Sequence, residues 1–370
     1  MNLAIIGASY LQLPLIEKAK EMGYTTHVFA WACNDVGEIA ADYFYPISII
    51  EKDNILEKCK EIGICGICSI ASDLAAITVN YVADKLGLNG NSMRSTEIST
   101  NKHLMRLAFE QANDPSPKSV LVDATTNLES LAFEYPIIVK PTDRSGSRGI
   151  YKLNDGRDLK KAVEIAISES FEKKALIEEF VEGQEYSVEY ISFQGCHYFL
   201  AMTQKFTTGA PHFIETGHLE PAPVDVDVLE HAKKIVTHAL DTLGIKNSAS
   251  HSEIKIDNDG NIKIIEIGGR MGGDCIGSDL VFYSTGIDFV RCVIQVACGI
   301  KPDLNSIRKP QKVKSEFVFN HEDINKLEEL KKNNPEKILK LVYLDTELLN
   351  KTTDSSNRAG CYIIKMDTEL

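Results

Sequence analysis

Residues 251–274 read HSEIKIDNDGNIKIIEIGGRMGGD, and the register of this stretch decides how the chain folds. Apolar Ile254, Ile256, Ile262, Ile264 and Ile265 flank Asp259-Gly260, a pair that favours a two-residue hairpin loop. Such a loop pairs Asn258 with Asn261. Counted outward, it sets Glu253 directly opposite Glu266 on one face of the ribbon, with Lys255 on that face and Lys263 pointing away. Like charges opposed in a sheet are destabilising. At about 5 Å and an effective dielectric of about 20 the repulsion is roughly 3 kcal/mol. A divalent cation is the simplest compensation, because Mg²⁺ takes one or two carboxylates and completes its shell with water and substrate phosphates. The structural alternative is that both glutamates lie on a solvated face, or that Lys255 and Lys263 neutralise them. Arg270 follows at once as a fixed cationic fork, among glycines (Gly268, Gly269, Gly272, Gly273) that let backbone approach a ligand closely.

Around this hairpin the chain has 370 residues, enough for two or three domains or subdomains. Hydrophobic residues at 44% and charged residues at 25% are those of an ordinary globular protein. A formal net charge of -13 argues against nucleic acid or an anionic membrane as partner, so an anionic ligand must be met by local positive groups. The N-terminal run reads as strand, turn and helix rather than a signal peptide, and no 18-residue apolar span occurs, which leads to a cytoplasmic expectation. The nine cysteines look like reduced thiols. Cys65 and Cys68 form a C-x-x-C with no second pair to complete a zinc site.

Residues 1–97 alternate strand and helix, the pattern of a small open parallel sheet with helices on both faces. Gly7-Ala8-Ser9 stands where a dinucleotide fold places its glycine-rich turn, but Ser9 and Gln12 replace the second and third glycines. Ser72 and Asp73 end another strand, where open sheets tend to bind ligands, and the segment Asp73 to Leu86 reads as a helix that Gly87 is placed to end. A helix near Asn101 carries Lys102. Residues 113–185 then read as a compact α+β insert: the strand YPIIVK ending on Lys140, the loop PTDRSGSRG, the strand IYKL, a helix from Asp158 to Ser170 and the strand ALIEEF. Lys140 and the loop with Ser145, Gly146, Ser147 and Gly149 can bring an ammonium and backbone N–H groups to phosphates, although no P-loop is present. In ALIEEFVEGQEYSVEY, backbone groups of an edge strand can read an adenine edge and Glu185 can hold ribose hydroxyls; its alternative is an ordinary edge strand with solvated glutamates. Residues 301–370 look like a small terminal α+β subdomain.

Taken in order, these pieces resemble the ATP-grasp superfamily over about residues 1–300. The resemblance implies an α/β architecture: an N-terminal open parallel sheet (1–97), an ATP-grasp fold (98–300) with an α+β lid, and the C-terminal subdomain. It implies that Lys102 and Lys140 contact ATP phosphates, with the loop of Gly146 and Ser147 closing over them. Glu178, Glu179, Phe180 and Val181 match the adenine hinge, Glu185 the ribose acid, Glu253 and Glu266 the Mg²⁺ (or Mn²⁺) ligands, and Arg270 the arginine of the reacting centre. Gly268 stands where a metal-binding Asn is common, with Asp274 as a candidate replacement oxygen. The GHLEPAP segment and EIGGRMGGD look most similar to the branch of L-amino acid ligases and carnosine-synthase-like enzymes; phosphoribosylglycinamide synthetase and biotin carboxylase share the fold. The implied reaction is ATP-dependent amide formation through an acyl phosphate, on small carboxylate and amine substrates met by His218, His251, Gly272 and Gly273, in a homodimer. A purine-pathway ligase and a non-catalytic nucleotide binder are the alternatives.

Overall fold

The computed structural model describes residues 1–144, 146, 148–210, 213–355 and 357–367. Its first sheet contains β1 (Asn2–Ile6), β2 (Thr25–Phe29), β3 (Tyr43–Tyr45) and β4 (Gly66–Cys68), all parallel in the order β3-β2-β1-β4. Leu3, Ala4, Ile5 and Ile6 are all fully buried, as expected of a strand covered on both faces. Helix Asp73–Leu86 begins on Ser72, whose side chain accepts from the Ala75 N–H, and stops at Gly87 in the left-handed region (φ 65). Where a dinucleotide fold would leave room after β1, the buried Gln12 side chain fills the turn and donates from Nε2 to the Ile70 carbonyl at 2.8 Å.

The second sheet is antiparallel and comprises β5 (Ser119–Val122), β6 (Ile137–Pro141), β7 (Tyr151–Leu153) and β8 (Ala175–Glu179), in the order β5-β8-β6-β7. Helix Leu159–Glu169 covers it by placing Ala162, Val163 and Ala166 against Ile137, Val139 and Ile177. This sheet is the insert expected from residues 113–185, except that Glu185 falls beyond it, in the next strand.

Eight strands form the third sheet: β9 (Gln184–Phe193), β10 (Cys196–Thr207), β11 (Glu215–Glu220), β12 (Ala249–Ile256), β13 (Ile262–Gly268), β14 (Val313–Val318), β15 (Ile338–Leu344) and β16 (Gly360–Lys365). Their order is β13-β12-β9-β10-β11-β14-β16-β15, so the strands of the last 70 or so residues extend this sheet through β11–β14 pairing rather than forming one of their own. Local sequence could not show that. No single helix among the described residues is long and apolar enough to cross a membrane.

The β12–β13 hairpin differs from the sequence expectation in an instructive way. Asp257, not Asn258, pairs with Asn261, leaving a three-residue loop with Gly260 at φ 82. The Asp257 carboxylate stabilises the longer loop by accepting from the N–H groups of Asp259 and Asn261, each at 2.9 Å. Lys255 therefore stands opposite Lys263, and both lie on the same face of the ribbon, which corrects the expectation that Lys263 points away. A bulge then takes up Ile265 and moves the register by one, so that Glu253 pairs with Glu266 after all.

Candidate active site

Five neighbouring strands bring one row of charge together. Glu266 on β13, Glu253 on β12, Glu185 on β9, Lys205 on β10 and Glu215 on β11 line a cavity of about 180 Å³. Lys205 is its centre: the side chain is 4% exposed, and Nζ lies 2.6 Å from Glu253, 2.9 Å from Glu185 and 3.8 Å from Glu215. Burial disfavours its charge, but these three carboxylates outweigh burial and raise its pKa well above the usual lysine value. Glu266 has its own cation, Lys102, which starts helix Lys102–Ala112 and is held by the Asn101 cap; Lys102 Nζ reaches Glu266 at 2.8 Å and the Arg144 carbonyl at 2.8 Å. In this protein the Glu253–Glu266 repulsion is thus balanced by Lys205 and Lys102, not by Lys255 and Lys263.

Lys140 and residues 178–181 form the other wall. Lys140 Nζ lies 2.6 Å from Glu178, whose other oxygen receives Arg106 Nε at 2.9 Å; all three side chains are buried. Burial lowers the Lys140 pKa and Glu178 opposes it only in part, whereas Arg106 and Lys140 overcome burial to hold Glu178 low. The Glu178 carboxylate is therefore consumed inside the wall, although the residue still lines the cavity with Glu179, Phe180 and Val181. Glu179 pairs with Lys263. The Phe180 N–H donates to the Pro136 carbonyl, and its ring faces Lys152 and Lys255 ammoniums 3.6 and 4.7 Å from the centroid. Lys255 also donates to the Val181 carbonyl at 3.0 Å. Gly146 (φ 73) lines the cavity from the loop after β6. Ser147, expected beside it, lies outside the described residues, as does Ser145.

A second cavity, about 250 Å³, shares Lys205, Glu253, His251 and Arg270 with the first. Arg270 makes a bidentate pair with Asp73 at the start of helix Asp73–Leu86, Nε at 2.9 Å and Nη2 at 3.1 Å. Gly268 makes room for that pair. A Cβ there would stand 2.9 Å from Asp73 Oδ1 and 3.3 Å from the Arg270 guanidinium carbon. Asp274, the candidate substitute ligand, is paired instead with Arg358. His251 Nδ1 binds the fully buried Glu189 at 2.5 Å, and its Nε2 lies 3.5 Å from Glu253. Burial lowers the His251 pKa, but Glu189 reverses this and lifts it to about 9, so the ring is an imidazolium. A Cβ at Gly272 would meet His251 Nδ1 at 2.7 Å, and Gly273 lines the cavity. His218 also lines it and is fully buried.

Lys205, Arg106, Glu189, Glu215 and Arg358 escaped the sequence reading. For Lys205 a signal existed: a lysine within the apolar strand LAMTQKF, where alternation turns it to the same side as buried Thr203. The others are partners visible only once distant strands pair.

Comparison with known proteins bears on the same region. Residues 133–279 match the ATP-grasp domain family. Alanine–anticapsin ligase of Bacillus subtilis is 28% identical over 303 residues, covering 71% of this chain and 63% of the relative, so the chain spans under two thirds of that curated protein's length. The structure of an L-amino acid ligase from Bacillus licheniformis superposes with a TM-score of 0.81 at 23% identity, covering 100% of this chain and 94% of that one. Phosphoribosylglycinamide synthetase from Anaerococcus prevotii gives 0.77 at 21%, with the same coverage. The family match is confined to residues 133–279, and over its whole length the chain shares the fold of these ligases.

Proposed function

We propose that the chain is an ATP-dependent carboxylate-amine ligase that joins amino-acid-like substrates through an acyl phosphate. The observation that carries this reading is the meeting of two cavities at Glu253, Lys205 and Arg270. One is walled by the hinge, Lys102, Lys140 and Glu185 in the manner of a nucleotide site; the other is open to a small polar molecule. A substrate carboxylate oxygen at the junction attacks the terminal phosphorus and ADP leaves. The amine nitrogen then attacks the acyl carbon, phosphate leaves, and the nitrogen loses a proton. Phosphoryl transfer needs positioning and charge neutralisation more than covalent help, and Lys102, Lys140 and Lys205 supply cations from three sides. Arg270, fixed by Asp73, is aimed to stabilise oxyanion charge during amine attack. Glu253 and Glu266 fit Mg²⁺ or Mn²⁺, because two opposed carboxylates face the cavity on which the phosphates would lie. The metal would neutralise phosphate charge there.

The alanine–anticapsin and L-amino acid ligases support the amino-acid reading, in a small-molecule enzyme without nucleic-acid or membrane partners. The same reading keeps the divisions near residues 97 and 300, a homodimer and the cytoplasm as its setting. A purine-pathway substrate would carry a phosphate and need cations to spare. Lys205 and Arg270 in the second cavity are already paired, and Arg148 is the lining arginine without an ion-pair partner among the described residues. The test is nucleotide product analysis with Mg²⁺-ATP and pooled amino acids. Substrate-dependent ADP and phosphate support the ligase, and AMP with pyrophosphate refutes the acyl-phosphate route. Glu266→Ala should abolish product while the protein stays folded; an undiminished rate would remove Glu266 from the site.

A further inference from the structure

The buried charges that wall the second cavity are closed on one another, and Arg148, the lining arginine without an ion-pair partner among the described residues, is exposed. Asp274 pairs with Arg358, Arg270 with Asp73, and Lys205 with Glu253. Glu215 accepts from Ser355 Oγ at 2.5 Å and lies 3.8 Å from Lys205. A charged ligand side chain seated among these pairs would have to break one and leave a buried ion uncompensated, which is strongly unfavourable, and a pair with exposed Arg148 is screened by solvent and worth little.

His218 is different. It is 0% exposed, lines this cavity, and neither ring nitrogen has a hydrogen-bond partner among the described residues. Its ring is held edge-on against Phe317 at 5.5 Å between centroids, and Phe317 is backed in turn by the Arg358 guanidinium at 3.7 Å. Buried polar atoms without partners are uncommon and costly, so a ring held this way is poised for a ligand. Burial, helped by Lys205, pushes its pKa down to about 3 and keeps the imidazole neutral. A neutral imidazole presents one donor and one acceptor. A carboxylate offers only acceptors, an ammonium only donors, a methyl group neither; a hydroxyl or carboxamide offers both. The cavity, about 250 Å³ against the ~30 Å³ that one water occupies in the liquid, has room for such a side chain.

We propose that this cavity selects an amino-acid-like substrate whose side chain ends in a hydroxyl or carboxamide, read by His218. The proposal rests on the ligase reading for what is consumed, but its test does not need turnover. In isothermal titration with Mg²⁺ and a non-hydrolysable ATP analogue, serine, threonine, asparagine and glutamine are compared with alanine, leucine, glutamate and lysine. At least one of the first four should bind about tenfold or more tighter than alanine and glutamate, because a site built for hydrogen bonds rejects ligands that leave its polar atoms unpaired. His218→Leu, which keeps an apolar contact with Phe317, should bring the ratio of the best polar ligand to alanine toward one, with folding checked by circular dichroism. Should that variant fail to fold, the wild-type ranking decides. Equal affinity for alanine, leucine and the neutral polar amino acids overturns the proposal and leaves His218 to water; tightest binding of glutamate or lysine overturns it as well. The expected ranking, together with no ADP in the separate product analysis with Mg²⁺-ATP and pooled amino acids, would sustain this selectivity and refute the ligase reading instead.

Discussion

Replacing Lys205 with Met removes an ammonium while keeping most of the side-chain volume, and the structure says what that should cost. At 2.6, 2.9 and 3.8 Å from three carboxylates, each attraction amounts to about 4–6 kcal/mol at an effective dielectric of about 20. Most of this gross energy offsets the desolvation of the ammonium, so the net loss is set by the carboxylates left uncompensated, about 3–5 kcal/mol. The pH dependence carries a sign. Burial pushes the Glu253 carboxyl up, but Lys205 and His251 outweigh it and hold the folded pKa well below the ordinary 4.5. A depressed carboxylate contributes stability that is present above the unfolded pKa and is lost as pH falls through the folded one. The gap between wild type and Lys205→Met should therefore be full at neutral pH and close as the solution is acidified below about 4.5. Millimolar Mg²⁺ should raise the midpoint of the variant more than that of wild type, because the freed carboxylates gain a cation. Urea unfolding across this pH range, with and without Mg²⁺, makes the measurement. Equal midpoints for the two proteins at pH 7, or a gap that widens in acid, would refute the assignment of Lys205 as the site's internal counter-ion.

Other perturbations probe the remaining walls. Arg106→Ala should lower stability by about 1.5–3 kcal/mol, since Glu178 stays buried with Lys140 alone; urea midpoints check it. Gly268→Ala places a methyl 2.9 Å from Asp73 Oδ1 and 3.3 Å from the Arg270 guanidinium. It should cost about 1–3 kcal/mol of stability and reduce product formation by displacing Arg270, and an unchanged kcat would dissociate the Asp73–Arg270 pair from the chemistry. Because Glu189 raises His251 to about 9, that ion pair contributes fully below the unfolded pKa of 6.5 and is lost as pH rises through about 9. The stability difference between wild type and His251→Gln should shrink over that interval; a difference constant from pH 6 to 10 would exclude the ion pair.

Where sequence reading succeeded and failed follows the range of the interactions involved. Helix Asp73–Leu86 was legible from end to end because its stop signal is local, a glycine that adopts the left-handed backbone conformation. The parallel first sheet was legible from alternating strands and helices. Residues 301–370 were read as a small terminal α+β subdomain, and the sequence could not show that β14 and β16 join the large sheet by pairing with β11 and with each other. In the site, residue types with a strong local context were found, whereas Lys205, Arg106 and Glu189 acquire meaning from partners 48, 72 and 62 residues away.

The acidic hairpin shows why a correct pairing does not vindicate the path to it. The two-residue loop is wrong by one residue, and an unforeseen bulge at Ile265 is wrong by one in the opposite direction, so Glu253 and Glu266 meet as expected while every pair nearer the turn is displaced. The displacement has consequences at the site: it sets Lys255 and Lys263 opposite each other, where one reaches the Val181 carbonyl and the other Glu179, both on the hinge. Deleting Ile265 would remove the bulge yet keep the pairing, because with Ile254 opposite Ile264 the next position sets Glu253 opposite Glu266 on the same face. Glu266 would then keep its place beside Lys102, and the variant should retain metal-dependent tightening of nucleotide binding. If Mg²⁺ no longer strengthened ATP binding in the deletion variant while the protein stayed folded, the account of Ile265 as a bulge that leaves the two glutamates on one face would have to be abandoned.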